Sequence, residues 1–441
     1  MSDRPAHAIL SDLAAHGVNS VVCKLLSQND NTKQQIYLGG NFQALNVLPF
    51  DSVREDGRTF KADVNWSWMD PTTGHKALAP STKLILYPDY PEVRLSGFLR
   101  DCPVAPTRHL QPVPRELRHN DPRGDGRVLL MGITVNESVI GILLPADWLA
   151  AKELFDECHE GRYQQNGIFY RIPIDVFSDP KAELLGKLTQ IHVAGWHRSS
   201  ILRATGELTY HNALNGVGTT LEALFGIIPN SNAAPDYQGW ELKAFSGGKI
   251  TLMTPEPNGG FYKERGAADF VRAHGHDDGK GRLYFSGQHK CHSVCVATGL
   301  RIAITGFDVR AAKITDPAGG IVLLDQNGEN RASWSFAALM GHWKKKHTNA
   351  AYVPAEKRAT EGFNEYRYLS PVQLGETTDF TFFLKALDLG DIVYDPGTRI
   401  DMGSGSPHVK ARSQFRISPA KLSSLYRTLT KEHLGATPLL L

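Results

Sequence analysis

The chain has 441 residues, 41% hydrophobic and 21% charged, a balance that fits two or three globular domains, each able to bury its own core. No run of 18 apolar residues occurs, and the opening MSDRPAHAILSDLAAHG lacks a basic stretch leading into an apolar one, so neither a membrane span nor secretion is expected. Five scattered cysteines argue against a disulfide framework and for a reducing cytoplasm, and 48 basic against 46 acidic side chains leave a net charge of +2, so any nucleic-acid surface must be local.

Residues 1–200 read as a mixed, β-rich region. AILSDLAAHG is a short amphipathic helix, QQIYLGGNF a strand ending in a Gly-Gly turn, and FKADVNWSWMD one alternating, half-buried strand. TKLILYPDYPEVRLSGFL holds two strands about a proline-marked turn. GRVLLMGITVNESVIGILLP is a hairpin turning at Asn136-Glu137-Ser138, and ADWLAAKELFDECHEG a helix with Leu149 and Leu154 on its apolar side. A domain boundary is expected between about 180 and 205, taken at 200. Basic residues gather from Arg100 to Arg127, with Arg108, Arg115, Arg118 and Arg123 between, and again in HWKKKHTN at 342–349. Such runs are more often solvated surface than binding sites.

Past the boundary, NGVGTTLEALFGIIPNSNAAPDYQGWELKAF concentrates the chemistry. Thr219 or Thr220 is expected to cap a short helix carrying Leu221, Leu224 and Phe225 and ending at Gly226. Thr219-Thr220-Leu221-Glu222 also has capping-box character, so Glu222 has two readings: a cap for its own helix, or a third acid for the motif that follows. In GWELKAF a period of two puts Glu241, Lys243 and Phe245 on one face and Trp240, Leu242 and Ala244 on the other. KITLMTPEP is expected to return as the second arm of a hairpin through Ser246-Gly247-Gly248.

Asp236 and Glu241 can converge on one Mg²⁺, an ion that takes oxygen donors and usually only one or two protein carboxylates, with the Leu242 carbonyl as a further donor. Lys243, on the face of Glu241, can then orient a water and offset charge on a scissile phosphate. The spacing alone is weak. It recurs at Asp175, Asp179 and Lys181, where Pro180 breaks the strand, and at Asp269, Asp278 and Lys280, in a glycine-rich loop. The alternative for residues 236–243 is an ordinary charged hairpin.

Taken together, these residues resemble the MvaI/BcnI family of type II restriction endonucleases, relatives of the mismatch-repair nicking enzyme MutH. A Thr-Leu-Glu helix, an Asn-rich turn, Pro-Asp-Tyr and a Glu-x-Lys strand follow one another in that order. The resemblance continues through ASWSFAALMGHWKKK and GDIVYDPGTRIDMGSGSPHVKARSQFRISPAKLSSLY, and so covers about residues 206–430. It implies an α/β (α+β) PD-(D/E)XK restriction-endonuclease-like core, a mixed β-sheet flanked by helices. The catalytic lobe would span about 206–315 and a DNA-recognition lobe about 316–430, with residues 1–200 an extra domain outside the family core. The resemblance does not give that domain a role; its β-rich character and the Arg100 to Arg127 run suit DNA recognition or effector binding, and equally a structural domain with basic loops.

The same resemblance implies Mg²⁺-dependent, sequence-specific cleavage of double-stranded DNA, in restriction of foreign DNA. The enzyme would act as a monomer on DNA and have a cognate DNA methyltransferase as partner. Asp236, Glu241 and Lys243 would be the catalytic acids and lysine, with Glu222 the helix acid. Asp236, Glu241 and Leu242 would hold the metal, and His408, Arg416, Lys344, Lys345 and Lys346 would contact DNA. The alternatives are a MutH-like strand-nicking repair enzyme and a DNA-binding sensor that no longer cuts. One further cluster, GQHKCHSVC at 287–295, offers His289, Cys291, His292 and Cys295. Zinc ligands usually come as two spaced pairs and no second pair follows, so a strand with buried cysteine is the reading there.

Overall fold

The computed structural model describes residues 3–28, 35–40, 42–114, 116, 125–173, 180–213, 216–228, 235–279, 281–343, 347–360, 362–401 and 408–435. Lys344, Lys345 and Lys346, and Arg115, Arg118 and Arg123 of the other basic run, lie outside the described residues. The chain divides into two compact units, Met1–Ser178 and Asp179–Leu441, each mixing helices and sheets. Among the described residues, no helix is long and apolar enough to cross a membrane.

Among the described residues, the first unit is built on two sheets. One holds five strands in the order Ile36–Gly40, Glu92–Ser96, Lys83–Tyr87, Thr59–Asp63, Val53–Asp56; the other holds seven, with Val18–Leu26, Arg127–Thr134 and Val139–Leu144 adjacent at its centre. The expected hairpin is present, and Glu137 takes a left-handed φ of +58° at its turn. FKADVNWSWMD, however, is two strands rather than one. Thr59–Asp63 belongs to the five-stranded sheet and Trp66–Met69 to the seven-stranded one. Phe60, Ala62, Val64, Trp66 and Trp68 are all buried, so the alternation runs on unbroken while the chain changes partners. Periodicity reports which face is buried, not which strand is paired. Helices Ala6–Ala15 and Leu149–His159 cover the seven-stranded sheet through Ile9, Leu13, Leu154 and Cys158. Leu149, expected on the buried side of its helix, is 39% exposed, and Ala150 and Ala151 are buried instead.

The second unit opens with the helix Pro180–Ala194, so the boundary stretch belongs to this unit's core. Its Leu184, Leu188 and Ile191 pack with Leu221, Trp240 and Leu242. The central sheet runs Trp196–Arg198, Phe363–Tyr368, Asn349–Thr360, Val372–Thr378, Tyr426–Glu432. Strand Glu241–Phe245 joins it in parallel, with Glu241 opposite Ala350 and Lys243 opposite Tyr352. This corrects the expected hairpin. Ile250–Met253 does not pair back onto Glu241–Phe245 but joins Phe415–Ile417, which also pairs with Ile392–Tyr394. The physical reasons are local and tertiary. Gly247 and Gly248 both stay outside the left-handed region that a two-residue hairpin turn requires. Glu241 and Leu242, on opposite faces, are both buried, as suits a parallel strand covered on two sides.

A glycine fixes where the next helix can sit. Helix Gly216–Phe225 begins ahead of both threonines expected to cap it, and ends as expected at Gly226, whose φ is +78°. A Cβ on Gly216 would fall 2.6 Å from both the Ser199 Oγ and the Tyr366 hydroxyl. Gly216→Ala is therefore expected to destabilise the protein by about 1–3 kcal/mol, because Ser199 and Tyr366 are both buried and must shift to admit the methyl. Urea unfolding checks it, and an unchanged midpoint would contradict so close an approach.

Candidate active site

Asp236 enters the site through a tight turn. Tyr237 and Trp240 exchange both backbone hydrogen bonds, at 2.9 and 2.8 Å, while Gln238 and Gly239 between them take φ of +44° and +86°. Two successive left-handed residues make a type I′ turn, which glycine adopts without strain. The turn folds the chain back beside its own continuation. Asp236 Oδ2 then accepts a hydrogen bond from the Leu242 N–H at 2.9 Å, fixing the carboxylate against the edge of strand Glu241–Phe245.

Along that strand the expected alternation holds. Trp240 and Leu242 face the core, whereas Glu241 and Lys243 share the opposite face. Glu241 is 4% exposed, its Oε1 accepts from Lys243 Nζ at 2.7 Å, and its Oε2 is buried without a hydrogen-bond partner. A carboxylate oxygen left so is costly, on the order of 1–3 kcal/mol.

The electrostatics of the pair follow from this crowding. Burial, then the charge of Glu241, push the Asp236 carboxyl from 3.8 up to about 7, against the opposing pull of the Leu242 amide and Lys243. A proton or a cation between the two acids relieves both. Burial pulls Lys243 down, but Glu241, Tyr352 and Asp236 outweigh it, so the ammonium is held charged above its ordinary range. Among the described residues no three His, Cys, Asp or Glu side chains are placed to share an ion, so the carboxylates that meet here are two, Asp236 and Glu241. Two carboxylates match what Mg²⁺ takes from a protein. The unpartnered Oε2 and the raised Asp236 carboxyl are the two features a divalent cation would satisfy. A strand residue sends its N–H and C=O to the same side, so the Leu242 carbonyl leaves the strand on the edge where Asp236 sits.

Glu222 is half-buried on helix Gly216–Phe225, and its charge adds to the upward push on Asp236. The capping-box alternative does not form. Thr220 Oγ1 accepts from the Ser200 N–H at 3.0 Å, and Thr219 Oγ1 pairs with His211 Nε2 at 3.1 Å. Both threonines lie within the helix and bond to the neighbouring segment, Thr219 Oγ1 also donating to the Gly216 carbonyl of its own helix at 3.4 Å.

The remaining sequence candidates lie on other sheets. His408 is exposed in strand His408–Lys410, opposite Asp401. Arg416, in strand Phe415–Ile417, gives Nη1 to Asp395 at 2.8 Å and Nη2 to the Lys249 carbonyl at 3.0 Å, tying two strands of its sheet together. In GQHKCHSVC, His289 is buried and bonded to Thr298 Oγ1 at 2.8 Å. Residues 292–300 form turns and not the expected strand, which starts only at Arg301, because the Cys295–Gly299 turn closes on its own backbone. Sequence reasoning missed Tyr352 and Tyr426. Both are buried, with hydroxyls 2.8 Å apart, and Glu241 bears electrostatically on each.

A profile of the MvaI/BcnI restriction endonuclease family matches residues 185–426, more than half of the chain and the whole of the site just described. The chain belongs to the MvaI/BcnI restriction endonuclease family. Among solved structures, this family member is similar to restriction endonuclease MvaI in complex with cognate DNA, at 21% identity and a TM-score of 0.42, over 58% of this chain and 99% of that one. It is similar also to MvaI in the absence of DNA, at 17% identity and a TM-score of 0.32, over 58% of this chain and 99% of that one. The B3 domain of UbaLAI restriction endonuclease with cognate DNA matches at 16% identity and a TM-score of 0.24, over 38% of this chain and 96% of that one. No curated protein matches the chain.

Proposed function

We propose that the protein is a Mg²⁺-dependent, type II sequence-specific endonuclease of double-stranded DNA, with a PD-(D/E)XK centre formed by Asp236, Glu241 and Lys243. Membership of a restriction endonuclease family supports the reaction class. The single observation that carries the centre is the buried acid pair: Glu241 with a partnerless Oε2, next to an Asp236 carboxyl raised to about 7, with Lys243 2.7 Å from the other Glu241 oxygen.

Asp236, Glu241 and the Leu242 carbonyl would hold the metal, with Glu222 as the helix acid beside them. Bound there, Mg²⁺ supplies Lewis-acid polarisation of a phosphate oxygen and lowers the pKa of water. The protein does the rest. Glu241 holds Lys243 in one place and keeps it charged, so the ammonium can orient the attacking water and offset charge growing on the phosphoryl oxygens. Attack by water on phosphorus, with departure of the 3′ oxygen, leaves a 5′-phosphate on one product. His408, Arg416 and Lys344, Lys345 and Lys346 are the proposed DNA contacts, the lysines to phosphates, which position a protein without specifying sequence. For Arg416 that role requires release from Asp395, or Asp395 serving as its aiming partner.

The test is a pool of random duplexes incubated with the protein and Mg²⁺, followed by sequencing of the ends. One shared sequence at the cuts, with 5′-phosphates and breaks in both strands, fits the proposal. Breaks in one strand only would favour the MutH-like reading, and cuts without sequence preference would overturn specificity.

A further inference from the structure

A cavity of about 230 Å³ lies in the first unit where its two sheets meet. The seven-stranded sheet lines it with Lys24 and Arg127, the five-stranded sheet with Tyr37 and Arg94, and Gln28 and Gln35 lie beside them. Period two explains this chemistry. In strand Val18–Leu26, Val21 and Cys23 pack into the helix-covered core, so Val22, Lys24 and Leu26 take the other face. Leu26 lies opposite Arg127 and Val22 opposite Arg171, and cross-strand partners share a face. Three cations, Lys24, Arg127 and Arg171, therefore crowd one side of the sheet. From the other sheet Arg94 is delivered opposite Tyr37.

Among the described residues that line the cavity there are three cations and no acid. Arg127 is 2% exposed and gives its guanidinium to the His109 and Ser27 carbonyls, at 2.7 and 2.8 Å. Arg94 pairs with Glu92 at 2.7 Å and donates to Gln35 Oε1 at 3.2 Å. Lys24 is different. Its Nζ gives one hydrogen bond, to the Leu25 carbonyl at 3.2 Å, and among the described residues no carboxylate pairs with it. An ammonium has three N–H donors, so two are left over in a setting where burial already works against the charge. A phosphate monoester brings close to two negative charges and three strong acceptor oxygens. The cavity is smaller than the roughly 300–1,000 Å³ of pockets for drug-sized molecules, so it suits such a terminal group. A duplex backbone offers one charge per phosphate along an open track instead. We propose that this cavity is a binding site for a phosphate monoester, held by Lys24 and Arg94 with Gln28 and Gln35 as neutral partners. The group would come from a free nucleotide or from the 5′-phosphorylated end of a DNA strand. The site needs neither metal nor strand cleavage, so it stands apart from the nuclease reading.

The test is isothermal titration of the full chain in EDTA at fixed ionic strength. Four probes are used: inorganic phosphate, adenosine 5′-monophosphate, and a short single strand of DNA carrying either a 5′-phosphate or a 5′-hydroxyl. The first three are expected to saturate one site, and the 5′-hydroxyl strand is not. Lys24→Met keeps the apolar stem and removes the charge, and Arg94→Gln removes the second cation. Each is expected to weaken binding about tenfold or more, the scale of one charge-assisted hydrogen bond. Should Lys24→Met fail to fold, Arg94→Gln carries the same test. Tighter binding of the mononucleotide than of the 5′-phosphorylated strand identifies a free nucleotide as the source, and the reverse order identifies a DNA end. The proposal is overturned if none of the three phosphates shows saturable binding, or if either folded variant keeps wild-type affinity. Equal binding of the 5′-hydroxyl strand would overturn it too, because the backbone and not a monoester would then be what binds.

Discussion

Lys243→Ala and Glu241→Gln are each expected to lower the single-turnover rate of DNA cleavage by about 10³-fold or more, with the dissociation constant for DNA changed only a few-fold. Removing one preorganised group aimed at developing charge commonly costs on the order of 10²–10³ in rate. Here the loss is compounded, since the two side chains depend on each other. Without Lys243, both Glu241 oxygens are buried with no donor, and the crowding with Asp236 grows. Without the Glu241 charge, Lys243 loses the first of the interactions that keep it an ammonium despite burial. The pair should therefore behave as a unit, and the double variant should be barely worse than either single one. Rapid-quench kinetics with saturating protein checks the rate, and filter binding in Ca²⁺ checks affinity. A loss confined to affinity would move these residues from the reacting centre to the DNA-binding surface.

The second large effect concerns pH and metal. The Asp236 carboxyl lies at about 7 in the fold and at 3.8 by default, so between those values the folded protein binds a proton that the unfolded chain does not. The stability linked to this proton is present below pH 3.8 and is lost as pH rises through about 7. At ~1.4 kcal/mol per pH unit the loss is at most about 4 kcal/mol, less after partial solvation of the site. Asp236→Asn does not titrate. Relative to wild type, the metal-free variant should therefore gain stability as pH is raised from 4 to 8, read as a growing difference in Tm. Mg²⁺ should close that difference at pH 8 by stabilising the wild type alone. Because a protonated carboxyl is no ligand, Mg²⁺ affinity should also fall about tenfold per pH unit below about 7. A Tm difference that is flat with pH would mean that Asp236 is not strained by its surroundings.

Much of this centre is legible in the residues themselves. Period two in GWELKAF places Glu241 and Lys243 together and Leu242 in the core, and the structure keeps that division. The turn that delivers Asp236 is not legible beforehand: Gly239 suits a left-handed φ, but Gln238, which also takes one, is not a residue that announces such a turn. What else fails is whatever depends on partners remote in the chain. Ser246-Gly247-Gly248 reads as a hairpin turn only while Ile250–Met253 is assumed to be the partner. The true partner, Asn349–Thr360, lies about a hundred residues away and lends the site Tyr352. The capping-box pattern at Thr219 fails for a similar reason, since Ser200 and His211 from a neighbouring segment claim both threonine hydroxyls. FKADVNWSWMD shows the same limit in the first unit, where one burial rhythm serves two sheets.

The most direct test of the account is supercoiled plasmid incubated with the wild type and with Asp236→Asn, each with Mg²⁺ and with EDTA. The account predicts discrete fragments for the wild type with Mg²⁺ and intact plasmid in the other three. Equal cleavage by Asp236→Asn, or cleavage that survives EDTA, would contradict it.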